Sequence, residues 1–172
     1  VLADYASVIQ QKFAADYASG NIESFKVNAD AFMSLIGDMD RLLATRDEFL
    51  LGNWLESAKA MGDTPEESKL YEKNARNLLG TWGNKDCKLF DYACKQWSGM
   101  MNGYYKQRWS LFFEDVLANW GHYDQKEFAE KCKDYEWDWI SDTTCFPTET
   151  IGDEIEVVKS IWNKYSSDLL ND

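Results

Sequence analysis

The chain has 172 residues, 30 of them acidic and 18 basic for a formal charge of −12, with 45% hydrophobic and 15% aromatic residues but only 2 prolines and 10 glycines. That composition describes one folded domain with a single core across residues 1–172, not a linker or a disordered tail. An acidic chain repels phosphate, so nucleic acid and anionic lipid are poor partners, and no apolar run approaches the roughly 20 residues of a spanning helix, so no membrane insertion is expected.

Leu2, Tyr5, Ile9 and Phe13 recur at helical spacing and predict a first helix that stops at Gly20, with Asn21 capping the next. Ile22, Phe25, Ala29, Phe32, Ile36, Met39 and Leu43 then alternate steps of three and four, the stripe of a helix packed lengthwise on another. Thr45 and Asp47 offer caps for a third helix carrying Leu51, Trp54, Ala58 and Met61 on its buried side and closing at Gly62. Thr64, Pro65 and Glu67 combine a capping box with proline at the first helical position, and the fourth helix runs from there toward Leu79.

A break at Gly80–Gly83 contains Trp82, and a fifth helix is expected from near Leu89. Gly99 and Gly103 bracket a kink before a helix with Tyr105, Trp109, Phe112, Val116 and Trp120 on one face, ended by Gly121. Asp124 with Glu127 reads as a further capping box, opening a helix through Phe128, Cys132, Tyr135 and Trp139. After the irregular segment 143–152, Asp153 caps a last helix through Val157, Ile161 and Tyr165. No alternating strand pattern is present, so the predicted fold is all-α, a single bundle of about seven or eight helices without a sheet.

His122, the only histidine, follows Gly121 and reads as a solvated loop residue, which leaves neither a di-iron bundle nor a His-dependent Ser or Cys hydrolase. Cys87, Cys94, Cys132 and Cys145 lack CxxC spacing and are expected as buried free thiols, with no zinc site and no cofactor. Glu136 with Asp138, or Glu66 with Glu67, could be drawn as an acid and base about 5 to 10 Å apart, the separation of a glycosidase pair. Adjacent acids on a helix are ordinarily solvated charges, and that is the expectation for both pairs. The density of rings beside polar side chains from Phe49 to Phe113 suits both a core and a wall that stacks on a sugar.

Phe49, Leu50, Leu51, Gly52, Trp54, Leu55 and Glu56, then Tyr71, Asn74, Ala75, Arg76, Trp82 and Gly83, then Asp91, Tyr92, Ala93, Lys95, Gln96, Gly99, Tyr104, Tyr105, Arg108 and Trp109 form one ordered pattern. In order and spacing this pattern resembles the C-terminal helical domain of the α-N-acetylglucosaminidases, glycoside hydrolase family 89. The chain departs from the family at Gln107, where proline is common, and at Asn84, which affects only local loop shape.

The resemblance implies an exo-acting, retaining enzyme that removes terminal α-linked N-acetylglucosamine with two glutamates on a preceding (β/α)8 barrel. Such a barrel needs about 250 residues with alternating strands, so the catalytic pair is expected outside this chain and the fragment is expected to be inactive alone. The start at Val1 inside a helical pattern is read in the same way, as a piece of a longer product. The resemblance further implies that the helical domain packs on the barrel and lines one side of the sugar site through Trp82 and Tyr92. Its partners would be the barrel of the same polypeptide and a glycan ending in α-N-acetylglucosamine, neutral rather than sulfated given the charge of −12. An extracytoplasmic location, whether periplasmic, secreted or lysosomal, is implied by the same kinship. Arg76 and Arg108 are expected to bridge acids or cap helices, and Trp54, Trp97 and Trp109 to sit in the core. A standalone glycan-binding module and a purely structural helical interaction domain are the alternatives.

Overall fold

The computed structural model describes residues 1–87 and 94–170, and these form seven α-helices. They are α1 (Leu2–Ser19), α2 (Ile22–Leu43), α3 (Leu51–Lys59), α4 (Pro65–Leu79), α5 (Lys106–Ala118), α6 (Gln125–Ser141) and α7 (Glu154–Leu169). The all-α architecture matches the helical periodicity of the sequence, and the described residues contain no sheet. A single parallel bridge pairs Leu50 with Ser98.

The caps explain most of the boundaries. Gly20 adopts φ +75°, which ends α1, and Asn21 accepts the Ser24 N–H to start α2. Thr64 and Glu67 form the reciprocal capping box of α4. Asp153 accepts the Glu156 N–H at the head of α7. Asp124 accepts from the Lys126 and Glu127 N–H groups, but the Glu127 carboxylate turns to Lys131 at 3.2 Å instead of completing a box.

Two predicted features are corrected. Thr45 and Asp47 do not cap α3: the Thr45 hydroxyl donates to the Leu42 carbonyl at 2.7 Å, and α3 starts after extended Leu50. Its buried side is Leu51 and Leu55, while Trp54 and Met61 are exposed, because the α3 seam is set by what packs across it and not by the longest apolar series. The start of the fifth helix expected near Leu89 cannot be placed among the described residues. Residues 88–93 lie outside the described residues, Cys94–Trp97 are not helical, and the helix expected after the Gly99–Gly103 kink begins at Met100.

That helix opens with a π-helical turn, Met101–Tyr105, at the predicted kink. Asp40 of α2 serves as its cap from a distance, accepting the Gly99 N–H at 2.7 Å and the Asn102 N–H at 3.0 Å. The Tyr135 hydroxyl shares its proton between the Gly103 and Tyr104 carbonyls at 3.1 and 3.3 Å, groups that the wider turn leaves over. Burial pushes the pKa of this phenol well above its ordinary value, so it stays a donor.

The buried residues form two clusters in place of one core. The larger joins α1, α2, α5 and α7 through Phe13, Phe25, Phe32, Phe113 and Ile161, with edge-on ring contacts such as Phe13–Phe113 at 5.1 Å. The smaller joins α3, α4 and α6 through Leu51, Leu55, Leu79, Tyr104 and Ile140. Tyr105 of the π turn packs against both.

Candidate functional site

After α4 the chain reverses within a few residues. Gly80 donates its N–H to the Arg76 carbonyl at 3.0 Å and Trp82 donates to the Asn77 carbonyl at 2.7 Å, so these two carbonyls of the last helical turn are satisfied by the turn itself. Buried Thr81 donates through its hydroxyl to Asn77 Oδ1 at 2.8 Å. Held from both sides, Trp82 adopts φ +62° and is 40% exposed as a residue. A bulky residue in the left-handed region carries a steric cost of order 1–3 kcal/mol, which persists only where neighbours enforce it. Gly83 follows in a tight spot, since an added Cβ would stand 3.2 Å from Cys87 Sγ and that side chain would have to give by a few tenths of an ångström.

Of the two residues predicted to line a sugar site, only Trp82 is thereby placed. Tyr92 lies outside the described residues.

The arginines have structural partners. Arg76 is fully buried, its Nε and Nη2 donating to Glu72 Oε1 at 3.1 and 2.8 Å and Nη2 also to the Thr144 carbonyl at 2.7 Å. The guanidinium carbon sits 5.1 Å from the Trp139 ring centre and 5.4 Å from that of Phe146. Arg108 joins α5 to α6 by donating to Glu136 at 2.7 Å and lies beside the rings of Tyr104 and Tyr105. Glu136 is therefore not the solvated charge expected from the sequence: it is 4% exposed and also accepts from Cys132 Sγ at 3.6 Å. Asp138 is exposed, as are Glu66 and Glu67, and Glu67 is committed to the cap.

The cysteines are free as expected but not buried, with Cys87 and Cys132 half-buried and Cys94 and Cys145 exposed. Trp54 is likewise at the surface, whereas Trp97 and Trp109 are half-buried against the two clusters. His122 is exposed beside Gly121. Among the described residues no three His, Cys, Asp or Glu side chains converge as a metal site, and no helix is long and apolar enough to cross a membrane.

Two clefts were not anticipated. One of about 500 Å³ lies between α1, α5 and α6, walled by Phe13, Trp109, Phe112 and Phe128 with the Arg108–Glu136 pair among its lining. Another of about 290 Å³ lies between α3 and α4 and is lined by Trp54, Met61, Tyr71 and Leu78. The first draws on residues from Gln10 to Glu136, which only the tertiary structure brings together, whereas the second lies within residues 54–78 and had the local aromatic density as its one sign in the sequence.

Residues 1–164 match the family described as the α-N-acetylglucosaminidase (NAGLU) C-terminal domain. The human α-N-acetylglucosaminidase is 34% identical over 134 residues, covering 76% of this chain and 18% of that protein. A family 89 glycoside hydrolase from Clostridium perfringens, solved with 2-acetamido-1,2-dideoxynojirmycin, superposes with a TM-score of 0.84 at 32% identity, over 96% of this chain and 20% of that one. A variant of the Clostridium perfringens enzyme in complex with its substrate, GlcNAc-alpha-1,4-galactose, gives 0.83 at 31% identity over 95% and 20%. This chain thus spans about a fifth of the length of these relatives. With the all-helical fold and the match over nearly every residue, the chain belongs to the C-terminal domain family of the α-N-acetylglucosaminidases, glycoside hydrolase family 89.

Proposed function

We propose that this chain is the accessory helical domain of an exo-acting, retaining α-N-acetylglucosaminidase. It packs on a (β/α)8 barrel elsewhere in the same polypeptide, whose two glutamates perform the displacement, and it lines one side of the site for a terminal α-linked N-acetylglucosamine. The enzyme acts outside the cytoplasm and needs no cofactor. The observation that carries this reading is Trp82: a large ring held outward by a strained, doubly anchored turn is costly for a purely structural residue and suited to presenting an apolar wall to a sugar. Its indole would cover the C–H face or the N-acetyl methyl, while the phenol of Tyr92 would bond a hydroxyl or orient an acid. The solved substrate complex of a relative that shares this domain supports the substrate class.

Trp82→Ala in the full-length polypeptide is expected to lower kcat/KM on an α-N-acetylglucosaminide by about 100-fold, in the range of one lost site contact, with the thermal midpoint nearly unchanged. Comparable losses of activity and stability would make Trp82 a packing residue. The 172-residue chain alone is expected to release nothing from a chromogenic α-N-acetylglucosaminide. Activity in the short form would move the chemistry into this domain.

A further inference from the structure

The cleft of about 500 Å³ between α1, α5 and α6 takes no part in the function proposed above, and its size suits a small molecule. Phe13, Trp109, Phe112 and Phe128 wall it, and all but Phe13 remain half-exposed. The rings meet at steep angles. Trp109 and Phe112 stand at 90° with centroids 5.4 Å apart, and Phe112 and Phe128 at 74° with centroids 5.6 Å apart. A flat ring entering such a corner stacks on one wall and stands edge-on to the next, the two arrangements that aromatic pairs prefer.

The charges around the cleft cancel. Arg108 donates to Glu136 at 2.7 Å and Lys133 to Glu130 at 2.8 Å, so each charged residue of the lining is paired with another of the lining. A charged ligand would bring a charge with no opposite left for it. Glu136 supplies the polar anchor at depth. It is buried, and both bonds it accepts, from Arg108 at 2.7 Å and from Cys132 Sγ at 3.6 Å, fall on Oε1. Among the described residues none donates to Oε2, and Oε2 is not sealed within the interior. A carboxylate oxygen only accepts, so the group it takes is an N–H or O–H.

We infer that this cleft binds an uncharged aromatic small molecule carrying a single N–H or O–H donor, of the indole or phenol class. The ring lies in the corner of Phe112 and Phe128, and the donor reaches Glu136 Oε2. This site is independent of the function proposed above. A sugar is the poorer ligand, because it carries hydroxyls on every side and phenyl walls leave most of them unmatched. Seated across three helices, the ligand ties α1 and α5 to α6, and its binding raises the thermal midpoint by mass action.

Isothermal titration calorimetry of indole into the native full-length polypeptide tests this site. One site per chain is expected, with a Kd of about 0.1 mM for a ligand of about 9 heavy atoms. 1-Methylindole, which lacks the donor, and indole-3-carboxylate, which adds a charge, are each expected to bind about 10-fold more weakly. Ala129→Trp fills the cleft from an exposed position on α6 and is expected to abolish binding, while Phe128→Ala removes one wall and is expected to weaken it about 10-fold. No heat from indole at about 20 times the expected Kd would overturn the proposal. Binding that survives both variants would place the site elsewhere and equally overturn it, as would equal affinities for indole and 1-methylindole. N-Acetylglucosamine binding that Ala129→Trp removes would make the cleft a sugar site, which also overturns it.

Discussion

Arg76 and Trp82 stand six residues apart and meet opposite constraints. The guanidinium is wholly buried and is paired with one carboxylate, Glu72, beside two aromatic rings and the Thr144 carbonyl, while its Nη1 is buried without a hydrogen-bond partner among the described residues. Arg76→Met is expected to destabilise the fold by roughly 3–5 kcal/mol, because Glu72 would be left buried without a partner, whereas Arg76→Met with Glu72→Gln should recover most of that loss. Urea unfolding of the two variants checks this, and equal losses would show that packing rather than charge is what Arg76 supplies. The sequence carried Arg76 as a bridging residue, and that role is visible in the structure. It gave no sign of the buried Glu136, whose partner Arg108 lies 28 residues earlier, since an acid beside another acid on a helix reads as solvated until the opposite helix is known.

At the level of elements, the segment after α6 decides how the α3–α4–α6 cluster closes. Phe146 and Pro147 lie across α3 at Gly52, where an added Cβ would stand 2.6 Å from the Phe146 carbonyl oxygen and closer still to that of Pro147. Gly99 and Gly103 clear the space for the Phe146 ring, which would meet added Cβ atoms at 2.8 and 2.9 Å. Gly52→Ala is therefore expected to cost about 1–3 kcal/mol by overpacking against backbone that cannot yield, read as a lowered midpoint in thermal unfolding. An unaltered midpoint would mean that the segment is free to lift. Helix starts at Asn21, Thr64 and Asp153 were legible because a cap acts over three residues. The buried side of α3 was not, because Leu51 and Leu55 are chosen by α4 and the π turn across the cluster.

Across the whole molecule, an acidic surface is tied together by a few charged contacts between the ends of the chain. Asp38 of α2 accepts from Lys164 at 2.6 Å and from the Tyr165 hydroxyl at 2.7 Å. Burial pushes the Asp38 carboxyl up, but Lys164, Tyr165 and Arg41 outweigh it and hold it below its ordinary value. A carboxyl depressed in the folded state stabilises above its unfolded pKa, and that contribution is lost as pH falls through the folded one. Stability is accordingly expected to fall below about pH 4, and Asp38→Asn to be less stable than the parent at pH 7 but to converge with it in acid. Midpoints measured from pH 7 to pH 3 check the convergence, and a constant difference would remove Asp38 from the acid response.

The sequence by itself determined the helical class, most helix ends and the family. Each follows from short-range rules of period and capping or from an ordered pattern of residues that needs no coordinates. Only the tertiary structure decided the split into two buried clusters, the left-handed backbone that turns Trp82 outward, the seat of Phe146 on three glycines and the open groove between α3 and α4. These depend on which faces meet across long stretches of chain, and the energy of such meetings is a property of the packed pair, which neither local segment contains.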